Sequence, residues 1–155
     1  MASQNDLDYV YLKMCKEWSS LSQARRKKVG CLIVKDHQII SDGFNGMPSG
    51  FPNECEFKFE GRTLPEVLHA EANAITKLSK STNSSFGATL YCTLSPCLEC
   101  AKLIVQAGIK RIIFSEEYET TDFGPICDFL EKAGVLVDTW HPLIEEEDYG
   151  INEKV

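Results

Sequence analysis

"GATLYCTLSPCLECAKLIVQAGIKRIIFS", residues 87–115, reads as a strand, a helix and a second strand in direct succession. Its first run, through Leu94, is rich in β-branched and aromatic residues and is bounded by turn formers, as a buried strand should be. Ser95 is placed to cap the helix, Pro96 suits the first helical position, and Gly108 stops it. A strand, helix, strand unit implies a right-handed crossover and parallel pairing. Residues 122–133 supply a further helix ending near Gly134, and "GVLVDTW" (134–140) a further strand, so the second half repeats the same crossover.

Working outward toward the N-terminus, "LHAEANAITKLS" (68–79) is an alanine-rich helix. Residues 45–62 hold Gly, Pro, Phe and Glu without a period, a loop long enough to be functional. "KVGCLIVKDHQIISDGFNG" (28–46) is two β-branched runs joined at Lys35-Asp36-His37, hence an antiparallel hairpin. Residues 6–21 put Leu7, Val10, Tyr11, Met14 and Trp18 at helical spacing, which predicts an amphipathic helix with those five on its inner face. The expected fold class is α/β, a mixed five-stranded sheet with helices on both faces. No internal repeat, linker or low-complexity block interrupts it.

The bulk numbers suit one compact domain spanning 1–155: 43% of 155 residues are hydrophobic, enough for a stable core. Apolar runs are broken well before the roughly 18 to 20 residues of a bilayer span, so no membrane association is expected. The opening "MASQNDLDYV" lacks the basic head and apolar middle of a secretory signal, and the expected compartment is the cytoplasm. In that reducing setting most of the seven cysteines are expected as free buried thiols. The net charge of −7, with a solvated acidic run "EEED" at 145–148, argues against a nucleic-acid polymer as partner. A small anionic substrate needs only a local basic patch, and "ARRKKVG" (24–30) is one.

Cys97 and Cys100 stand apart from the other thiols. Three residues apart in the first turns of a helix, they share one face and the positive end of the helix dipole, which favours thiolate. Two thiolates half fill a tetrahedral zinc site, and His69 is the natural third donor, leaving the open position of a catalytic rather than a structural site. A redox pair and a closed site with Cys92 or Cys55 as fourth ligand are the competing readings. Glu71 stands two residues after His69, about 200° around a helix, so the two converge on one metal only if the helix points its tip there. A carboxylate so placed suits proton shuttling, although an exposed partner for the helix dipole is the simpler reading of Glu71 alone. Together "HAE" and "PCLEC" form the H-x-E, P-C-x-x-C signature of zinc-dependent base deaminases.

With "RKKVGCLIV", "GFNGMPSG", "HAEANAI", "LYCTLSPCLECAKLIVQAGIKRIIF" and "EKAGV" in that order, roughly residues 20 to 137 resemble the deoxycytidylate (dCMP) deaminases of the cytidine deaminase superfamily. The resemblance implies a three-layer α/β/α fold and hydrolytic deamination of dCMP to dUMP and ammonia, a step in supplying dTTP precursors. It implies one zinc held by His69, Cys97 and Cys100, with Glu71 carrying protons. A second, structural zinc found in some members is not expected, because the segment from Phe51 to Leu68 is short and carries Cys55 alone. Substrate contacts are expected from Asn45 at the sugar, Tyr118 on the pyrimidine ring, Ala70 and Ser95, with the 5′-phosphate met from Arg25–Lys28, principally Arg26 and Lys28. The resemblance further implies a homohexamer, activation by dCTP, inhibition by dTTP with an effector at Asn45 and Gly46, and Mg2+ accompanying a bound triphosphate.

Overall fold

The computed structural model describes residues 2–140; the acidic run at 145–148 lies outside the described residues. The five strands are β1 (Gly30–Lys35), β2 (Gln38–Phe44), β3 (Thr89–Leu94), β4 (Arg111–Glu116) and β5 (Leu136–Thr139), in sheet order β2-β1-β3-β4-β5. β1 runs antiparallel to β2 and β3, whereas β3, β4 and β5 are mutually parallel. The mixed sheet expected from the crossovers and the hairpin is therefore the one observed. The hairpin turns through Asp36 and His37, both with positive φ (50° and 60°), the backbone that a two-residue connection needs to match strand twist.

Helix α1 (Gln4–Ser19) covers one face, where Tyr11, Leu12 and Cys15 meet Leu32, Val34, Tyr91 and Ile113. Helices α2 (Ala70–Lys77), α3 (Leu98–Gln106) and α4 (Gly124–Lys132) cover the other, with Ala74, Ile104 and Leu130 on Ile33, Leu90 and Ile112. Among the described residues no helix is long and apolar enough to cross a membrane.

Two sequence expectations shift. α1 begins at Gln4 rather than at residue 6, because Ser3 and Asp6 form a reciprocal capping box. Its inner face is also rotated: Asp8, Tyr11, Leu12, Cys15 and Ser19 are buried, while Val10 and Met14 lie 50% and 41% exposed. The cause is Asp8, which sequence periodicity counts as polar. Its carboxylate accepts two hydrogen bonds from the Arg111 guanidinium, at 2.9 and 2.8 Å, and one from the Tyr91 hydroxyl at 2.6 Å. Burial pushes the Asp8 carboxyl up, but these donors outweigh it and leave its pKa below the ordinary value.

The second shift concerns α3, which starts two residues later than expected, with Cys97 and not Ser95 as its N-cap. Ser95 is held as an extension of β3 instead: its N–H donates to the Glu116 carbonyl (2.8 Å) and its hydroxyl accepts from the Tyr118 N–H (2.9 Å). Glycine governs how closely the helices approach. A Cβ on Gly30 would lie 2.0 Å from the Cys15 carbonyl oxygen, and one on Gly43 would lie 2.3 Å from that of Ala70. The first contact seats α1 on β1; the second seats the tip of α2 on β2.

Candidate active site

The carboxyl ends of parallel β3 and β4 open into a crevice, the usual place for a ligand in an α/β sheet. Two helix tips meet there. His69 is the N-cap of α2 and Cys97 the N-cap of α3, both in extended backbone, with Cys100 one turn into α3. His69 Nδ1 stands 3.4 Å from Cys97 Sγ and 3.4 Å from Cys100 Sγ, and the three donor atoms lie within 4.8 Å of one another.

Tetrahedral donors bonded to zinc at about 2.0 to 2.3 Å sit roughly 3.5 Å apart, so the spacing fits that ion. The charge distribution fits as well. The Cys100 thiol and then His69 hydrogen-bond to Cys97 and draw its pKa down to about 4, while the contact with Cys97 and burial push Cys100 up. Two adjacent thiolates repel one another, and a cation held between them offsets that repulsion. Among the described residues the donor cluster contains these three side chains and no fourth. Cys92 is directed into the core opposite Cys31, and Cys55 is buried in the 45–68 loop near Asn53, so neither closes the set.

Glu71, in the first turn of α2, is 4% exposed and faces the same cavity. Burial raises its carboxyl pKa above the ordinary carboxylate value, against the opposing pull of its own backbone N–H and of His69. An exposed partner for the helix dipole would have neither the burial nor the shift.

Of the other residues singled out from sequence, Asn45, Ala70, Ser95, Tyr118 and Arg26 line the cavity; Lys28 and Gly46 do not, and Lys27 does. Asn45 is built into the wall: its Oδ1 accepts from the Val29 N–H at 2.9 Å and its Nδ2 donates to the Lys27 carbonyl at 2.8 Å. Gly46 pairs backbone to backbone with Leu68, immediately before His69. Lys27 forms an ion pair with Glu116, at the end of β4, at 3.1 Å. Sequence reasoning missed Glu56, Thr63, Val67, Pro96 and Thr121 in the lining. Three of these sit in or beside the aperiodic 45–62 loop, where only tertiary contacts fix which side chains turn inward.

The family model for the cytidine and deoxycytidylate deaminase zinc-binding region matches residues 5–116. The chain is 34% identical over 150 residues to the deoxycytidylate deaminase of Enterobacteria phage T4, covering 71% of this chain and 77% of that protein. It is 40% identical over 121 residues to the deoxycytidylate deaminase of Homo sapiens, covering 72% of this chain and 66% of the human protein. Among solved structures, the dCMP deaminase of cyanophage S-TIM5, in complex with dCMP and dUMP, superposes with a TM-score of 0.83 at 41% identity, over 90% of this chain and all of that one.

Proposed function

This chain belongs to the cytidine and deoxycytidylate deaminase zinc-binding family, and from that premise we propose that it is a hydrolase converting dCMP and water to dUMP and ammonia. The observation that carries the proposal is one cavity lined by His69, Cys97 and the buried carboxylate of Glu71, with Cys100 completing the donor set behind Cys97, and by the cations Arg26 and Lys27.

His69, Cys97 and Cys100 would hold a zinc ion, which when bound would supply Lewis acidity and lower the pKa of a water toward 7. Glu71 would take one proton from the attacking water and deliver it to the pyrimidine ring nitrogen beside the reacting carbon. It would then take the remaining proton of the added hydroxyl and deliver it to the amino group, which leaves as ammonia as the carbonyl forms. Burial at the head of α2 keeps the carboxylate from reorienting toward bulk solvent. Ala70 and Ser95 frame the base, Tyr118 packs against its ring, and Asn45 borders the sugar. Arg26 receives the 5′-phosphate, with Lys27 in place of Lys28 as the second cation on the lining.

The same reading extends to regulation and assembly: a homohexamer, activated by dCTP and inhibited by dTTP, with the effector at Asn45 and Gly46 and Mg2+ on its phosphates. The backbone pairing of Gly46 with Leu68 supports it, because a ligand at that loop presses on the residue next to His69. One deaminase domain over residues 1–155, acting in the cytoplasm on free nucleotides, completes the proposal. The test is zinc-loaded protein incubated separately with dCMP, deoxycytidine and dCTP, followed by loss of cytosine absorbance, then dCMP titrated with and without dCTP and dTTP. Strong preference for dCMP and sigmoidal curves displaced by the triphosphates are expected; equal turnover of deoxycytidine overturns phosphate recognition.

A further inference from the structure

Glu56 is a buried carboxylate in an aperiodic loop, with a side chain only 2% exposed and no part in the donor set. Carboxylates are seldom buried without partners, and its partners are specific. Oε1 accepts two consecutive backbone N–H groups, from Arg25 at 2.7 Å and Arg26 at 3.1 Å. Oε2 faces Arg25 Nε at 3.6 Å. Glu56 forms an antiparallel bridge with Thr63, and next to it the Leu64 N–H donates to the Cys55 carbonyl.

These bonds bear on how the four cations of Arg25–Lys28 are distributed. Arg25 is drawn to Glu56 and lies outside the cavity lining. Lys27 is paired with Glu116. Arg26 lines the cavity and, among the described residues, carries no ion pair, so of the two lining cations it is the one without a competing carboxylate. Its backbone N–H, however, is fixed by Glu56. Asn45 fixes the carbonyl of Lys27 and the N–H of Val29 on the far side, and the Ser22 hydroxyl donates to the Asn45 carbonyl.

We infer that Glu56 is a positioning residue for phosphate recognition: by gripping the Arg25 and Arg26 amides and neutralising Arg25, it aims Arg26 at the phosphate of a nucleoside monophosphate. The inference rests on the dCMP reading above. A carboxylate suits the role because charge-assisted bonds to two adjacent amides are short and directional. A neutral or shortened side chain lets the loop relax, and small displacements of a substrate-holding group have large kinetic effects.

The readout is the ratio of kcat/KM for dCMP to kcat/KM for deoxycytidine, which isolates the phosphate. Glu56→Ala is expected to lower that ratio about tenfold or more, and Glu56→Gln, which keeps the acceptor but loses the charge, to lower it less. Added to Arg26→Ala, the Glu56→Ala change is expected to lower the ratio no further, since both act through one contact. An unchanged ratio with both substrates falling together makes Glu56 a general structural residue and overturns the inference; so does a double variant whose losses multiply. Should Glu56→Ala fail to fold, Glu56→Gln alone decides on the same criterion. Wild-type protein inert toward dCMP would sink the functional reading itself, before any variant is made.

Discussion

His69 and Cys97 cap two different helices, and the caps meet tip to tip with Nδ1 3.4 Å from Sγ. This contact explains how His69 and Glu71, two residues apart at the head of α2, both line one cavity. A helix seen end-on presents its cap and its first turn to the same point, whereas a helix seen from the side would present one or the other. Both helix dipoles also aim their positive ends at the two sulfurs.

If Glu71 is the proton carrier, Glu71→Gln removes the basic oxygen while keeping size and hydrogen-bonding capacity. We expect kcat for dCMP to fall about 10³-fold, the scale of general acid–base catalysis, with zinc content unchanged. Absorbance assays paired with metal analysis check this. Activity retained with zinc bound would remove Glu71 from the mechanism.

Much of that site is legible in the sequence, because helix tips write themselves into it: a C-x-x-C after a strand, an H-x-E before an alanine run, a proline and a glycine at the ends of α3. The mixed pairing of the strands follows from crossovers and hairpin in the same way. What is not legible depends on distant partners. Asp8 turns inward because Arg111 waits a hundred residues later, Ser95 gives up its cap to bond Glu116 and Tyr118, and Glu56 is buried by amides thirty residues upstream. None of these leaves a periodic trace. Lys27 lines the cavity where Lys28 was expected, since a run of adjacent cations carries no sign of which one faces in.

Metal content follows from the three-donor set. Protein purified with zinc is expected to hold one ion per chain, and chelation is expected to abolish turnover, with zinc restoring it. Cys97→Ala and Cys100→Ala should each bring content well below one, by elemental analysis. Two ions per chain would overturn the expectation of a single zinc.

The buried Asp8 network gives a pH-dependent stability. Asp8 has its pKa lowered in the folded protein, so its contribution is full above the unfolded-state value of about 3.9 and is lost as pH falls through the folded one. Asp8→Asn leaves the Arg111 guanidinium, 17% exposed, with Asp138 as its remaining carboxylate. The expected loss is about 2 to 4 kcal/mol at pH 7, shrinking toward pH 3, read from urea midpoints at both pH values. An equal loss at the two would show that the carboxylate charge contributes nothing.

Gly43 couples the sheet to the metal donors. It lies on β2 beneath the first turn of α2, and a methyl group there would stand 2.3 Å from the Ala70 carbonyl and 2.7 Å from the Ala74 amide. Both neighbours are backbone, so nothing flexible can give way; α2 itself must lift. Lifting α2 carries His69 and Glu71 away from Cys97 and Cys100, which belong to a separate helix on a separate strand. Gly43→Ala is therefore expected to lose about 1 to 3 kcal/mol of stability, as overpacked cores do, and to weaken zinc retention as well. Gly30→Ala is the control, since its clash with the Cys15 carbonyl lifts α1 on the opposite face. It should destabilise comparably, yet at temperatures where both variants are folded it should retain zinc in a competition with a chelator. Equal zinc loss from the two would mean that general loosening of the fold, and not the seating of α2, governs the site.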